Sequence, residues 1–228
     1  MQKPDSDKRN PENTSSFYGE NYFDWQKSVG AFGGWANSSK FTKSINHADT
    51  VVDFGCGGGY LLHNLVCARK IGIEPNASAA ANLTNLGIES YPTSSHAISK
   101  LHPGFADVVI SNHALEHTLN PIEEVKKVFE MLKSGGRAHF VVPCETISFK
   151  YKINDENHHL FSFSPQNLGN LFAEAGFEIV YSKPLLKKWP PGYKYIAKLG
   201  RTFFNLTCSI YARLERSWFQ VEVLAIKP

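Results

Sequence analysis

The chain of 228 residues predicts an α/β fold, a mostly parallel seven-stranded sheet with helices on both faces, and three observations carry that expectation. Short apolar runs alternate with helix-period segments from residue 50 onward, the pattern of strands joined by crossover helices and therefore paired in parallel. The first run, Val51-Val52-Asp53-Phe54, ends in an acid and spills into Gly55-Cys56-Gly57-Gly58-Gly59, a strand-to-helix turn where a Cβ would block positive φ and close ligand approach. Residues 121–132 place Ile122, Val125, Val128, Phe129 and Leu132 on one helical face, with Pro121 at a tolerant early position, so a helix covers the sheet there.

The elements follow in order. Residues 1–16 are polar and rich in Pro, Asn and Ser, which predicts a flexible N-terminus. Residues 17–228 read as one domain, opened by a helical cap over 17–48 whose Tyr18, Tyr22, Phe23, Trp25, Phe32, Trp35 and Phe41 cover a sheet edge or close over the site. Strands are expected at 50–54, 70–74, 88–91, 106–111, 137–142, 177–182 and 218–226. Helices are expected at 59–69, 76–86, 121–132 and 165–175, the last started by Ser164-Pro165 and stopped by Gly176.

Between the last two strands lies a basic insertion, 184–217, in which Lys187, Lys188, Lys194, Lys198, Arg201, Arg213 and Arg216 stand against Glu215 alone. Ile196, Leu199, Phe203, Leu206, Ile210 and Leu214 recur there at helical spacing, which predicts an amphipathic basic helix. Its apolar face packs on the domain as a lid or dimer contact, lies peripherally on an anionic membrane, or meets a phosphate-bearing acceptor. A monomer or a homodimer is compatible with this.

Composition narrows the class. The hydrophobic fraction is 42% and the net charge is +3, ordinary for a globular enzyme. No apolar run approaches the roughly 18–20 residues that cross a bilayer, and the N-terminus lacks an apolar signal core, so a cytoplasmic protein is expected. Cys56, Cys67, Cys144 and Cys208 show neither C-x-x-C pairing nor zinc-type spacing. No motif spacing supports a metal site from His113, His117, His158 or His159 with Glu145, and none is expected. With the basic charge confined to one insertion, a nucleic-acid substrate is disfavoured.

The glycine loop selects a cofactor. After Gly55 and Gly57 a dinucleotide fingerprint needs a small residue where Tyr60 stands, and a P-loop needs a lysine that this loop lacks. The remaining pattern, acid-x-Gly-x-Gly-x-Gly from Asp53 to Gly59, resembles class I S-adenosylmethionine-dependent methyltransferases. The likeness continues through Ile71-Gly72-Ile73-Glu74-Pro75, Asp107 to His117, and Leu132-Lys133-Ser134-Gly135-Gly136-Arg137. It implies a Rossmann-like sheet with the last strand antiparallel, and S-adenosyl-L-methionine as cofactor, leaving S-adenosyl-L-homocysteine. The implied cofactor residues are Asp53, Gly55, Cys56, Gly57, Gly59, Glu74, Pro75, Ser94, Asn112 and His113. Asp53 would anchor an ammonium group, and Glu74 both ribose hydroxyls, since a carboxylate offers two acceptor oxygens. One departure concerns adenine: Tyr91-Pro92-Thr93-Ser94-Ser95-His96 holds no carboxylate where many relatives have one.

Methyl transfer to a hydroxyl needs a base, and histidine suits neutral pH. The candidates are His117, His158 and His113, in the segments after the fourth and fifth strands. Of the adjacent pair His158 and His159, at most one can face an acceptor from an extended loop. The segments Ser162-Phe163-Ser164-Pro165 and Ala175-Gly176-Phe177 resemble small-molecule methyltransferases of sugar and glycan pathways, implying a hydroxyl of a sugar, nucleotide-sugar or glycan-lipid as acceptor. Alternatives are carbon or nitrogen methylation of another metabolite, or a silent cofactor-binding partner subunit.

Overall fold

The computed structural model describes residues 30–146, 149–153, 155 and 157–228. The stretch 1–16 and the first part of the expected cap, with Tyr18, Tyr22, Phe23 and Trp25, lie outside the described residues. Seven strands form one sheet: β1 Thr50–Phe54, β2 Arg69–Ile73, β3 Glu89–Tyr91, β4 Ala106–Asn112, β5 Leu132–Cys144, β6 Glu178–Leu185 and β7 Phe219–Ile226. Their order is β3-β2-β1-β4-β5-β7-β6, parallel through β5, with β7 antiparallel to both β5 and β6. The order reverses between β1 and β4, so the loops leaving their carboxyl ends diverge and open a crevice there.

The helices are α1 at 30–38, α2 Tyr60–His63, α3 Ala80–Asn85, α4 Ser94–Leu101, α5 Pro121–Met131, α6 Pro165–Glu174, α7 Tyr193–Ala197 and α8 Arg201–Leu214. Successive strand residues point to opposite faces. Val52, Val109 and Phe140 therefore join a core closed by Val125 and Val128 of α5 and by Leu168 and Phe172 of α6. Val51, Val108 and Val141 join the other, with Phe41, Leu62 and Leu83.

Three segments differ from, or add to, the expected elements. The helix expected over 59–69 stops after His63, because the N–H groups of Ala68 and Arg69 donate to the Asp49 carbonyl and draw the chain early into β2. Residues 94–101, to which the sequence reading assigned no element, form a helix started by Thr93, whose side chain caps the His96 N–H. The third change concerns the insertion. Its α8 buries Phe204, Cys208 and Ala212, while Leu199, Phe203, Leu206, Ile210 and Leu214 are exposed. This face packs on α1, where Phe204 and Cys208 join Ala36 and Phe204 meets Phe32 and Trp35 at ring-centroid distances of 5.7 and 5.3 Å. Of the basic residues, Lys187 donates to the Ala36 carbonyl at 2.8 Å, Arg201 lies over the Trp35 ring, and Lys188 pairs with Glu215. Cations at the carbonyl end of α1 satisfy groups that the helix cannot pair internally. Lys194, Lys198, Arg213 and Arg216 are left exposed.

Candidate cofactor and acceptor site

The site begins with two glycines. Gly55 has φ +73°, and a Cβ there would lie 2.2 Å from the Cβ of Ala114, so the loop after β1 abuts the loop after β4. Gly59 has φ +79° and caps α2, where a Cβ would meet Leu83 and Ile88 at 2.6 and 2.7 Å. Cys56 sits beneath the loop as filler: a Cβ on Gly72 of β2 would come within 2.5 Å of its Sγ.

Two acids flank this loop. Asp53 is buried, and its Oδ2 has no hydrogen-bond partner. Burial first, and then the Glu74 carboxylate, raise its pKa well above the ordinary range. Glu74 follows β2 and accepts from the N–H of Gly57 and of Asn76, both at 2.8 Å. Burial raises its pKa too, partly offset by those two donors. A buried carboxylate and a half-buried one beside an open-backbone loop form a site that a cationic, hydroxyl-rich ligand would complete. Pro75 leads away from Glu74, whereas Ser94, the first residue of α4, is buried with its Oγ donating to Glu124 at 3.1 Å.

The acceptor side lies after β4. Asn112 accepts from the Lys40 ammonium at 2.7 Å, and the same ammonium donates to Gln220 Oε1 of β7 at 2.7 Å. Burial first, then Lys187, hold the Lys40 pKa well below normal. His113 has φ +59°, a conformation non-glycine residues rarely adopt, and its Nε2 lies 3.1 Å from Gln220 Oε1. Burial first, then Lys40, push His113 down to about 3. His117 falls to about 4, again by burial first and then by His159.

Glu116 lies among these rings, fully buried, with no hydrogen-bond partner on either oxygen. Burial raises its carboxyl to about 8. The loop after β5 is tied onto it: Leu160 and Phe161 donate their N–H groups to the Glu116 carbonyl at 2.9 and 3.2 Å. That tie brings His159 beside His117, ring centroids 5.1 Å apart, with its Nδ1 2.8 Å from Glu145 Oε1. His158 is exposed, with φ +47°. The structure thus brings His113 and His117 together and adds His159 to them.

A Rossmann-like sheet with an acid-capped glycine loop at its switch point defines a domain for a nucleotide-bearing cofactor. A family model described as a methyltransferase domain matches residues 22–182, and the chain belongs to that family. The cofactor of this class is S-adenosylmethionine, and the unpartnered Oδ2 of Asp53, the glycine cradle and Glu74 fit it. The chain is 32% identical over 100 residues to the ubiquinone biosynthesis O-methyltransferase of Sodalis glossinidius, covering 40% of this chain and 39% of that protein. It is 27% identical over 173 residues to an uncharacterized methyltransferase of Schizosaccharomyces pombe, covering 63% of this chain and 66% of that protein. The chain thus spans between about two fifths and two thirds of these relatives. Among solved structures it is similar to a SAM-dependent methyltransferase from Archaeoglobus fulgidus, with TM-score 0.64, 17% identity, and 91% and 100% of the two chains covered. It is also similar to the geranyl diphosphate C-methyltransferase of Streptomyces coelicolor, solved with Mg2+, geranyl diphosphate and S-adenosyl-L-homocysteine, with TM-score 0.62, 18% identity, and 85% and 77% covered.

Sequence reasoning did not single out Lys40 or Gln220, which lie 180 residues apart and carry no local spacing. Glu116 was visible only as the neighbour of His117. Its buried position between two segments is the missing signal.

Proposed function

We propose that the protein transfers a methyl group from S-adenosylmethionine to a hydroxyl oxygen of a small acceptor. One observation carries this reading: the buried Asp53, its Oδ2 unpartnered, and the Glu74 carboxylate sit on one side of the Gly55–Ala114 contact, and a group of imidazoles stands on the other. When bound, S-adenosylmethionine supplies an activated methyl group on a sulfonium, and the protein's part is positioning and proton removal. Asp53 and Glu74 hold the cofactor's ammonium and ribose, and Asn112, fixed by Lys40, borders the crevice. The acceptor proton is handled by His113, Glu116, His117 and His159. His113 and His117 stay neutral near pH 7 because burial depresses both, which leaves each ring a free lone pair to hydrogen-bond the acceptor hydroxyl. His158, exposed beside them, is assigned an outer role.

Relatives named for ubiquinone biosynthesis O-methylation support oxygen as the accepting atom. The relatives and structures named above do not carry a sugar in their names. Within hydroxyl acceptors we favour one carried on a lipid, a glycan-lipid intermediate or a prenylated phenol. The support is the exposed stripe of Leu199, Phe203, Leu206, Ile210 and Leu214, bordered by the cations Lys194, Lys198, Arg213 and Arg216. That combination suits an anionic lipid surface, which takes apolar side chains at its acyl boundary and cations at its headgroups. No helix among the described residues is long and apolar enough to cross a membrane, so the contact is peripheral.

The first test is calorimetric titration with S-adenosylmethionine, S-adenosylhomocysteine and NAD. Binding of both sulfur ligands and not of NAD is expected; the reverse refutes the reading. Release of S-adenosylhomocysteine is then followed with prenylated phenols, lipid-linked glycans and free sugars. Turnover confined to carbon or nitrogen acceptors removes the hydroxyl assignment, and binding with no turnover on any acceptor leaves a silent subunit.

A further inference from the structure

Glu116, His117 and His159 each present a ligand atom, and these atoms lie within 4.8 Å of one another. Glu116 Oε1 is 3.8 Å from His117 Nε2 and 4.0 Å from His159 Nε2. Those separations are too long for hydrogen bonds. They are close to what a shared ion sets, since ligands about 2.0–2.2 Å from a tetrahedral zinc stand roughly 3.4 Å apart. His113 adds its Nδ1 at 3.6 Å from the same oxygen.

The outer contacts point the same way. His159 Nδ1 lies 2.8 Å from Glu145 Oε1, and a carboxylate can only accept, so the ring carries its proton on Nδ1. The lone pair of Nε2 then faces the Glu116 side chain, whose two oxygens have no donor. The His117 ring is held by the backbone of His158, and His113 Nε2 by Gln220. Imidazoles that bind metals are oriented by such partners through their second nitrogen. An imidazole lone pair turned on a donor-free buried carboxyl group is unfavourable unless a cation or a proton stands between them.

We propose that Glu116, His117 and His159 form a binding site for a divalent transition metal of the zinc type, with His113 beside it and an open position for the acceptor's oxygen. Two imidazoles and one carboxylate suit zinc and its first-row neighbours better than magnesium, which prefers oxygen throughout. The inference rests on reading this cluster as the acceptor side of the site, where an ion held by Glu116, His117 and His159 would bind a hydroxyl oxygen and ease loss of its proton to His113 beside it.

The test uses the full chain, stripped with a chelator and then dialysed against zinc, with metal per chain measured by atomic emission. Cobalt(II) is titrated in parallel and its visible absorption followed. Expected are one zinc per chain and cobalt bands of a nitrogen and oxygen site. Glu116→Gln and His159→Ala should retain only a small fraction of the zinc, and His158→Ala should retain all of it. Glu145→Gln, which changes only the outer partner of His159, should weaken zinc binding about 10–100-fold. Wild-type protein that takes up no stoichiometric zinc, or unchanged binding in both Glu145→Gln and His159→Ala, overturns the proposal. S-adenosylhomocysteine titration of the wild-type protein separates the failures: cofactor binding without zinc sinks the metal site alone, while zinc binding without cofactor affinity sinks the function proposed above.

Discussion

Replacing Glu116 by glutamine in the metal-free protein should change stability by an amount that depends on pH. The wild-type carboxyl is fully buried, and burial moves it from an ordinary 4.5 to about 8 in the folded state. Lys40 lowers it somewhat and Glu145 raises it, but desolvation dominates. Because the folded pKa is the higher one, the neutral carboxyl's contribution is fully present below pH 4.5 and is lost as pH rises to about 8. The slope in that window is about 1.4 kcal/mol per pH unit. Glutamine keeps the shape and never ionises. The two proteins should therefore be similarly stable near pH 4.5, with the variant ahead by about 3 kcal/mol at pH 7 and about 5 kcal/mol at pH 9. Urea unfolding followed by circular dichroism in chelator, near pH 5, 7 and 9, measures the gap by linear extrapolation. A gap that stays constant with pH refutes the reasoning, as does a variant less stable than wild type at the alkaline end. Added zinc should reverse the order near pH 7, since only the wild type gains the binding term.

Asp53→Asn should stabilise the ligand-free protein by removing a buried carboxyl whose ionisation both burial and the Glu74 carboxylate oppose, yet weaken S-adenosylhomocysteine binding by about tenfold or more; paired thermal melts and calorimetry test both halves. Gly59→Ala should cost about 1–3 kcal/mol, because its φ of +79° and the contacts at 2.6 and 2.7 Å leave a methyl nowhere to go. Phe204→Ala should cost about 3–5 kcal/mol in urea unfolding. Ile210→Ser, on the opposite face of α8, should stay within about 0.5 kcal/mol while reducing cosedimentation with anionic lipid vesicles.

What was legible in the sequence follows from the range of the forces involved. β1 and its glycine loop could be read because the apolar run, the terminal acid and the positive-φ glycines are contiguous and each is dictated locally. α5 was legible for the same reason, with one apolar face and a proline at its start. α4 was hidden by Thr93-Ser94-Ser95, a turn-like run whose threonine was in fact the helix cap. α8 carries two apolar stripes, and spacing alone cannot say which one packs. The heavier stripe could have packed on the domain or faced outward, and the structure turns Phe204 and Cys208 onto Ala36 instead. The choice between His158 and His159 depended on where Leu160 and Phe161 find an acceptor for their N–H groups, and that acceptor lies more than forty residues upstream at Glu116.

The place of β7 has a consequence for synthesis. It fills the gap between β5 and β6, and it carries Gln220, the shared partner of Lys40 and His113. While the chain is being made, the edge of β5 stays open until Phe219–Ile226 has left the ribosome, several seconds after Cys144 at roughly 5–20 residues per second. During that interval an apolar strand edge is exposed and Lys40 lacks one of its two acceptors. The acceptor side of the crevice is thus among the last parts to assemble.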